Sequence, residues 1–457
     1  MTERPESFIR GAGVIAAFTF LSRILGLVRD CLCAAFFGVG IVWDAFSFAF
    51  RVPNLFRRLF GEGALSAAFV PAFTERLELR EKEAAWRFAG RIGGALLLAL
   101  FALLVVGEAL VLGLLRWADP DPRWRLALGL TAVMLPYMVF ICLTALAGAA
   151  LNSLRHFAAP ALAPVVLNVC WIASLVVAAW LVSSEATTRI FIVAVGILVA
   201  GAAQLALQMA TLAAKGFRWR LSFGLLHPDV RRIAISMAPV ALGLAALQIN
   251  VLLDGVIAIS LAAPEGKEAF TVLGASIPYP MEVGANSVLY YANRLMQLPL
   301  GVFGIALATA AFPTLSSQVV RRDWRGFSQS LTRGLGTVLF VAVPAGVGLI
   351  LLRYPAVELL FQHGNFALTP GSTARTAAAL CAYSTGIWAY CSLHVLTRAF
   401  YSLKRPATPA KVAACMVGLN LVLNLTLVWH LREAGLAAAT AITATLQVAV
   451  LYWVLHG

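Results

Sequence analysis

Residues 43–73 read WDAFSFAFRVPNLFRRLFGEGALSAAFVPAF, and residues 291–313 read YANRLMQLPLGVFGIALATAAFP. Both are long apolar runs broken by arginine: Arg51, Arg57 and Arg58 in the first, Arg294 in the second. A shift of 243 residues lays Ala49 on Ala292, Arg51 on Arg294 and Gly61 on Gly304. It also lays Ala67, Ala68 and Phe69 on Ala310, Ala311 and Phe312, with Pro71 and Pro313 close behind. The copies lie six apolar stretches apart, and an even number of crossings restores the chain direction. The match therefore implies two halves of six helices in the same orientation.

The rest of the chain agrees. Of 457 residues, 61% are hydrophobic and only 12% charged, with a mean hydropathy of +0.86, which leaves too little polar surface for a soluble fold. A bilayer-spanning helix takes about 20 apolar residues. Spans are expected at about 8–37, 42–73, 88–115, 125–152, 158–182, 189–213, 231–262, 286–317, 328–352, 373–402, 408–430 and 434–455. The runs are continuous rather than alternating, which excludes an outer-membrane barrel. The first carries Arg23 and Arg29 and has no small-residue cleavage motif, so it reads as a retained span and not a signal peptide. The expectation is an all-α polytopic membrane protein of about twelve helices, in two six-helix lobes related by a pseudo-twofold axis around a central cationic cavity. The lobes are expected at 1–217 (spans 1–6) and 218–457 (spans 7–12).

The 35 Lys and Arg against 21 Asp and Glu leave a formal charge of +14. In a soluble protein that surplus would suggest nucleic acid. Here it sorts by side of the membrane: 20 basic residues fall with the two termini, among them Arg76, Arg80, Lys82, Arg87, Arg91, Lys215, Arg321, Arg322, Lys404 and Arg405. Eight fall opposite, including Arg116, Arg189, Arg375 and Arg432. The positive-inside rule then makes both termini cytoplasmic, and nucleic acid drops out as a partner.

Seven basic residues remain inside spans: Arg23, Arg29, Arg51, Arg57, Arg58, Arg294 and Arg398. A charge at the bilayer centre costs roughly 2.5–3.5 kcal/mol on insertion scales, so these either snorkel to headgroups or face water, partners or a ligand. Asp30, Asp44 and Glu62 accompany the first five and neutralise them in part. A two-halved bundle with a charged interior is the usual build of an alternating-access transporter. Permanent charge and bidentate geometry suit arginine to phosphate, pyrophosphate or carboxylate. The seven Cys and six His form no metal-ligand spacing. Asp254 stands alone in the seventh span, either as a ligand for a cation or proton or as the partner of an arginine. Asn168, Gln204, Gln208, Asn420 and Asn424 read as interhelical hydrogen-bonders, and the acidic segment 263–282 as a solvated outside loop.

Three blocks carry a family resemblance: SRILGLVRD at 22–30, the run from Trp43 to Phe73, and the run from Tyr291 to Pro313. Together they resemble the MurJ (MviN) lipid II flippases of the MOP exporter superfamily. The resemblance implies a transporter, not an enzyme, in the bacterial inner membrane. It would move the undecaprenyl-pyrophosphate-linked disaccharide-pentapeptide from the cytoplasmic to the periplasmic leaflet for cell-wall synthesis. By the same resemblance Arg23, Arg29, Asp30, Asp44, Arg51, Asn54, Arg57, Glu62 and Arg294 would form the substrate site. Arg23, Arg29 and Arg294 would neutralise the pyrophosphate, and Asp44 and Glu62 would bias opening or contact the headgroup. Partners would be the lipid substrate, membrane lipids and cell-wall synthesis proteins, with no resident cofactor.

Two departures qualify this reading. The family usually has fourteen spans, the last two holding the lipid tail, and twelve are read here. The family's FYAxxDTxTP reads FYSLKRPATP at 400–409, with Arg405 where an acid is expected. Some members have a sodium site; Asp254 matches one of its ligands, while Arg405 leaves coupling to the membrane potential as the other possibility. A flippase for another polyprenyl-diphosphate glycan and a non-transporting cell-wall scaffold stay open. A membrane glycosyltransferase would need paired acids on a sizeable outside loop, and multidrug cation export conflicts with the positive interior.

Overall fold

The structure, a computed structural model, describes residues 5–59, 65–79, 82–181, 185–217, 222–264, 266–272 and 275–456. Its first half comprises α1 (Pro5–Phe37), α2 (Ile41–Phe56), α3 (Leu65–Leu79), α4 (Lys82–Trp117), α5 (Pro122–Met134), α6 (Tyr137–Ser153), α7 (Ala158–Leu181) and α8 (Ala186–Ala214). The second opens with α9 (Pro228–Ser260) and a hairpin of β1 (Ala269–Val272) and β2 (Ala275–Pro278). It continues through α10 (Ala285–Pro299), α11 (Ile305–Val320), α12 (Trp324–Leu351), the short α13 (Arg353–Phe361) and α14 (Gly364–Leu368), then α15 (Ser372–Ser384), α16 (Ile387–Ser402), α17 (Ala407–Leu431) and α18 (Glu433–His456).

Each of the twelve expected spans coincides with one helix or one broken pair, and the repeat extends to the breaks. The 243-residue shift carries α2 onto α10, and it carries the π-helical turn at 57–59 onto the one at Leu300–Gly304. Pro53 and Pro299, one inside each of α2 and α10, remove backbone donors and weaken the helix near these points. A second likeness is the broken helix: α5 and α6 hold 13 and 17 residues, α15 and α16 hold 13 and 16. Asp121 starts α5 by accepting the Arg123 backbone N–H at 2.7 Å, with Pro122 at the first helical position.

Twelve uninterrupted spans are not what the helices form. Among the described residues six helices, α4, α7, α8, α12, α17 and α18, are long and apolar enough to cross a bilayer alone; α5 with α6, bent by 41°, would make a seventh. The other stretches are divided by a break or carry in-span charge. The segment 263–282, expected as a solvated loop, contains the hairpin, with Ala269 opposite Pro278 and Val272 opposite Ala275.

The chain forms two compact units, Met1–Cys33 with Phe48–Ala241, and Ala34–Ser47 with Leu242–Gly457. The expected lobe boundary at 217/218 falls within the first. In that unit an aromatic stack, Phe69 on Phe73 and on Phe88 at 5.2 and 5.5 Å, anchors α3 to α4. Small residues let helices approach closely: a Cβ on Gly201 of α8 would lie 2.7 Å from the Tyr137 ring of α6. In the second unit Trp43 stacks on Phe37 and Tyr291, at 5.8 and 6.0 Å. Gly284, at φ +89°, passes so close that a Cβ would meet Val39 Cγ1 at 2.3 Å, so only glycine fits there.

Candidate functional site

In the first unit two in-span charges of α1, Arg29 and Asp30, are built into the packing. Arg29 is 5% exposed and Asp30 4%. The Arg29 Nε and Nη2 donate to Asp30 Oδ1 at 3.0 and 2.7 Å, and Nη1 donates to Asn168 Oδ1 of α7 at 2.9 Å. The guanidinium lies 4.3 Å from the Trp171 ring centroid. Asn168 in turn donates to the Ser22 carbonyl at 2.9 Å, so one amide reads both the cation and the α1 backbone. A buried pair is tolerated where its remaining donors and acceptors are met, and here α1 and α7 meet them. Arg23 is exposed; Arg51 and Arg57 are half-buried, and Arg57 Nε donates to Asn54 Oδ1 at 2.7 Å. Glu62 and Gly61 lie outside the described residues.

Asp44 belongs to the second unit and does a different job from an open site group. Its Oδ1 accepts from the Ser287 backbone N–H and hydroxyl, both at 2.6 Å, and its Oδ2 accepts from Gly284 N–H at 2.9 Å. Those N–H groups are the unmatched donors at the start of α10, so Asp44 caps that helix from another segment and sits at the positive end of its dipole. Asn286 donates to the Asp44 carbonyl at 2.9 Å and to Ser47 Oγ at 2.8 Å. Asp44 and Ser287 are the same position in the two copies of the repeat. Farther along the same face of α10, Arg294 Nη2 donates to the Tyr290 hydroxyl at 3.0 Å, its guanidinium 4.9 Å from that ring, and Tyr290 sets its edge on Trp43 at 5.4 Å.

Asp254 of α9, 8% exposed, meets α17. Asn424 Nδ2 donates to Asp254 Oδ1 at 2.6 Å and to Asn420 Oδ1 at 2.8 Å. With its amide turned, Asn420 donates to Asn250 Oδ1 at 2.9 Å and to Asp254 at 3.3 Å. Asn424 Oδ1 is buried and has no hydrogen-bond partner among the described residues. The amide nitrogen of Asn424, not its oxygen, faces the Asp254 carboxylate, so the described side chains offer that carboxylate a hydrogen-bond donor.

Sequence reading missed a further node. Arg375 binds Glu433 at 2.5 Å and the carbonyls of Val283 and Glu282 at 2.9 and 3.2 Å, while Arg432 binds Glu282 at 2.8 Å. Glu282 is thus tied down, not merely solvated, and the turn before α10 is held by Asp44 and Arg375 together. Charge type was visible in the sequence; the pairing of residues 58 to 150 positions apart was not.

Comparisons with known proteins agree along the whole chain. The family model "Lipid II flippase MurJ" matches residues 33–456. A "Probable lipid II flippase MurJ" of Vibrio cholerae serotype O1 is 34% identical over 99% of this chain and 83% of its own length. "Lipid II flippase MurJ" of Burkholderia cenocepacia is 31% identical over 98% and 83%. A solved structure, "Lipid II flippase MurJ, inward closed conformation", superposes with a TM-score of 0.78 at 25% identity, covering 97% of this chain and 87% of the other. An inward-facing MATE transporter of the MOP superfamily shares the fold at a TM-score of 0.72 and 14% identity. With its helices, its repeat and its sequence aligned together, the chain is a multi-pass membrane protein that belongs to the lipid II flippase MurJ family.

Proposed function

We propose that this protein flips lipid II, the undecaprenyl-pyrophosphate-linked disaccharide-pentapeptide, from the cytoplasmic to the periplasmic leaflet of the bacterial inner membrane, with both termini cytoplasmic. The observation that carries the reading is the family match over residues 33–456, which spans the arginine-bearing runs at 43–73 and 291–313. Arg23, Arg51, Arg57 with Asn54, and Arg294 contribute positive charge for the pyrophosphate. Arg29 and Asp30 hold α1 to α7 and set the field around it, Asp44 seats α10 so that Arg294 is presented in register, and Glu62 contacts the headgroup. The C55 tail stays in the lipid phase, which avoids exposing its apolar surface to water. Asp254 would hold a sodium ion, which supplies coupling charge when bound; the membrane potential is the alternative driving force. Cell-wall synthesis proteins are the expected neighbours.

The test is complementation in cells depleted of their own lipid II flippase, with protease accessibility of lipid II as readout. A well-inserted wild-type chain is expected to restore accessibility, and failure to do so sinks the reading. Arg29→Ala with Arg294→Ala is expected to abolish flipping, and retained activity would remove both residues from the site. Flipping measured against sodium at fixed membrane potential decides the coupling.

A further inference from the structure

Arg398, like Arg58, is an in-span arginine that no part of the proposed site uses. It sits on α16, where the accessible side chains are unusual for a helix in a membrane. The two exposed residues of α16 are His394 and Tyr401, one turn before and one turn after Arg398, which is itself partly exposed. The three share one face at helical spacing. On the neighbouring α11 the exposed residues include Thr309, Thr314 and Ser317. Compare the second half of α12, whose exposed large side chains are Leu339, Phe340, Val343, Val347 and Leu351. A lipid-facing surface reads like that half of α12; the α16 face, whose accessible side chains are His394, Arg398 and Tyr401, reads as facing water.

Within this face Arg398 Nη2 donates to Thr309 Oγ1 at 3.1 Å, and the guanidinium lies 5.5 Å from the Phe312 ring centroid. Its partners are thus a hydroxyl and a ring, and no carboxylate pairs with it among the described residues. The Tyr401 hydroxyl and the His394 imidazole share the face with it as further hydrogen-bonding groups. Lys404, on the side expected to be cytoplasmic, follows just beyond the end of α16.

We infer that the α11–α16 face centred on Arg398, with Thr309, His394 and Tyr401, is a binding subsite for an oxyanion group of the transported lipid, near the cytoplasmic end of the second unit. The inference rests on the lipid II reading. Two parts of that substrate carry the chemistry: the pyrophosphate and the carboxylates of the peptide.

The experiment uses the full chain in lipid nanodiscs and two probes, undecaprenyl pyrophosphate, which has no peptide, and lipid II. Arg398→Gln is expected to weaken binding about tenfold, the scale of one charge-assisted hydrogen-bonded contact. Equal loss with both probes assigns the subsite to the pyrophosphate; loss with lipid II alone assigns it to the peptide carboxylates. Arg398→Lys keeps the charge without the fork, folds even where Gln is not tolerated, and is expected to bind about threefold more weakly than wild type. Wild-type affinity for both probes in both variants overturns the inference and leaves the flippase reading standing. A wild-type chain that binds neither probe overturns the flippase reading itself.

Discussion

The two broken helices, α5–α6 and α15–α16, have matching lengths but differ along one face of the second arm. Counted from the first residue of each second arm, Tyr390, His394, Arg398 and Tyr401 of α16 correspond to Phe140, Thr144, Gly148 and Leu151 of α6. The α6 residues are small or apolar and wholly or largely buried; a Cβ on Gly148 would already touch Pro160 at 3.6 Å. The first unit therefore closes this arm into its packing and keeps its polar groups as internal structure at Arg29, Asp30 and Asn168. The second keeps part of the same arm accessible and polar, at His394, Arg398 and Tyr401, while the Tyr390 hydroxyl is buried. One architecture has been used once as a wall and once as a surface.

The largest expected effect comes from placing the α16 residue in the α6 position. Gly148→Arg puts an unpaired cation and a long side chain into a closed interface and should cost about 3–5 kcal/mol or prevent folding, read as loss of the melting transition in detergent. The reciprocal Arg398→Gln should change stability by no more than about 0.5–1 kcal/mol, because the side chain is accessible. A comparable loss from both would erase the distinction between wall and surface.

Next comes Arg29→Ala, which strands Asp30 in the packing and should destabilise by about 3–5 kcal/mol, whereas Arg29→Ala combined with Asp30→Ala should recover part of that loss. Additive losses in the double variant would mean that the two charges act independently. Asp44→Ala removes the cap of α10 and should cost about 1–3 kcal/mol, accompanied by faster hydrogen exchange at Gly284 and Ser287. Unchanged exchange there would remove the capping role.

The smallest effect is a pH dependence at the start of α5. Burial alone would raise the Asp121 carboxyl, but hydrogen bonds from the Arg123 guanidinium and backbone outweigh it and hold the group below the usual carboxylate range. A depressed folded-state value stabilises above the ordinary carboxylate value, and the contribution is lost as pH falls through the depressed one. Asp121→Asn should therefore flatten the acid limb of a melting-temperature profile slightly, and an identical limb in the variant would rule the group out.

Much of this was legible in the sequence. The stretch 43–73 announced both an apolar run and its copy, and the twelve expected spans fall on the helices within a few residues. The breaks were harder: Pro53 and Pro299 mark them, yet proline also occurs within the long helix α7 at Pro164, so proline alone does not say where a helix gives way. The charged residues were visible as candidates, but Asp44 looked like a site group until Gly284 and Ser287, 240 and 243 residues away, supplied its hydrogen bonds.

By itself, then, the sequence determined a membrane-embedded helical protein, the placement of its apolar stretches, its internal repeat and its family. Hydropathy and motif are properties of contiguous residues, and the bilayer makes helices obligatory within them. Only the tertiary structure decided which in-span charges are enclosed and which are accessible, and that residues 34–47 pack with the second unit. An arginine on a helix reads the same in sequence whether its face meets lipid, another helix or water; what packs against that face settles its charge environment and so its chemistry.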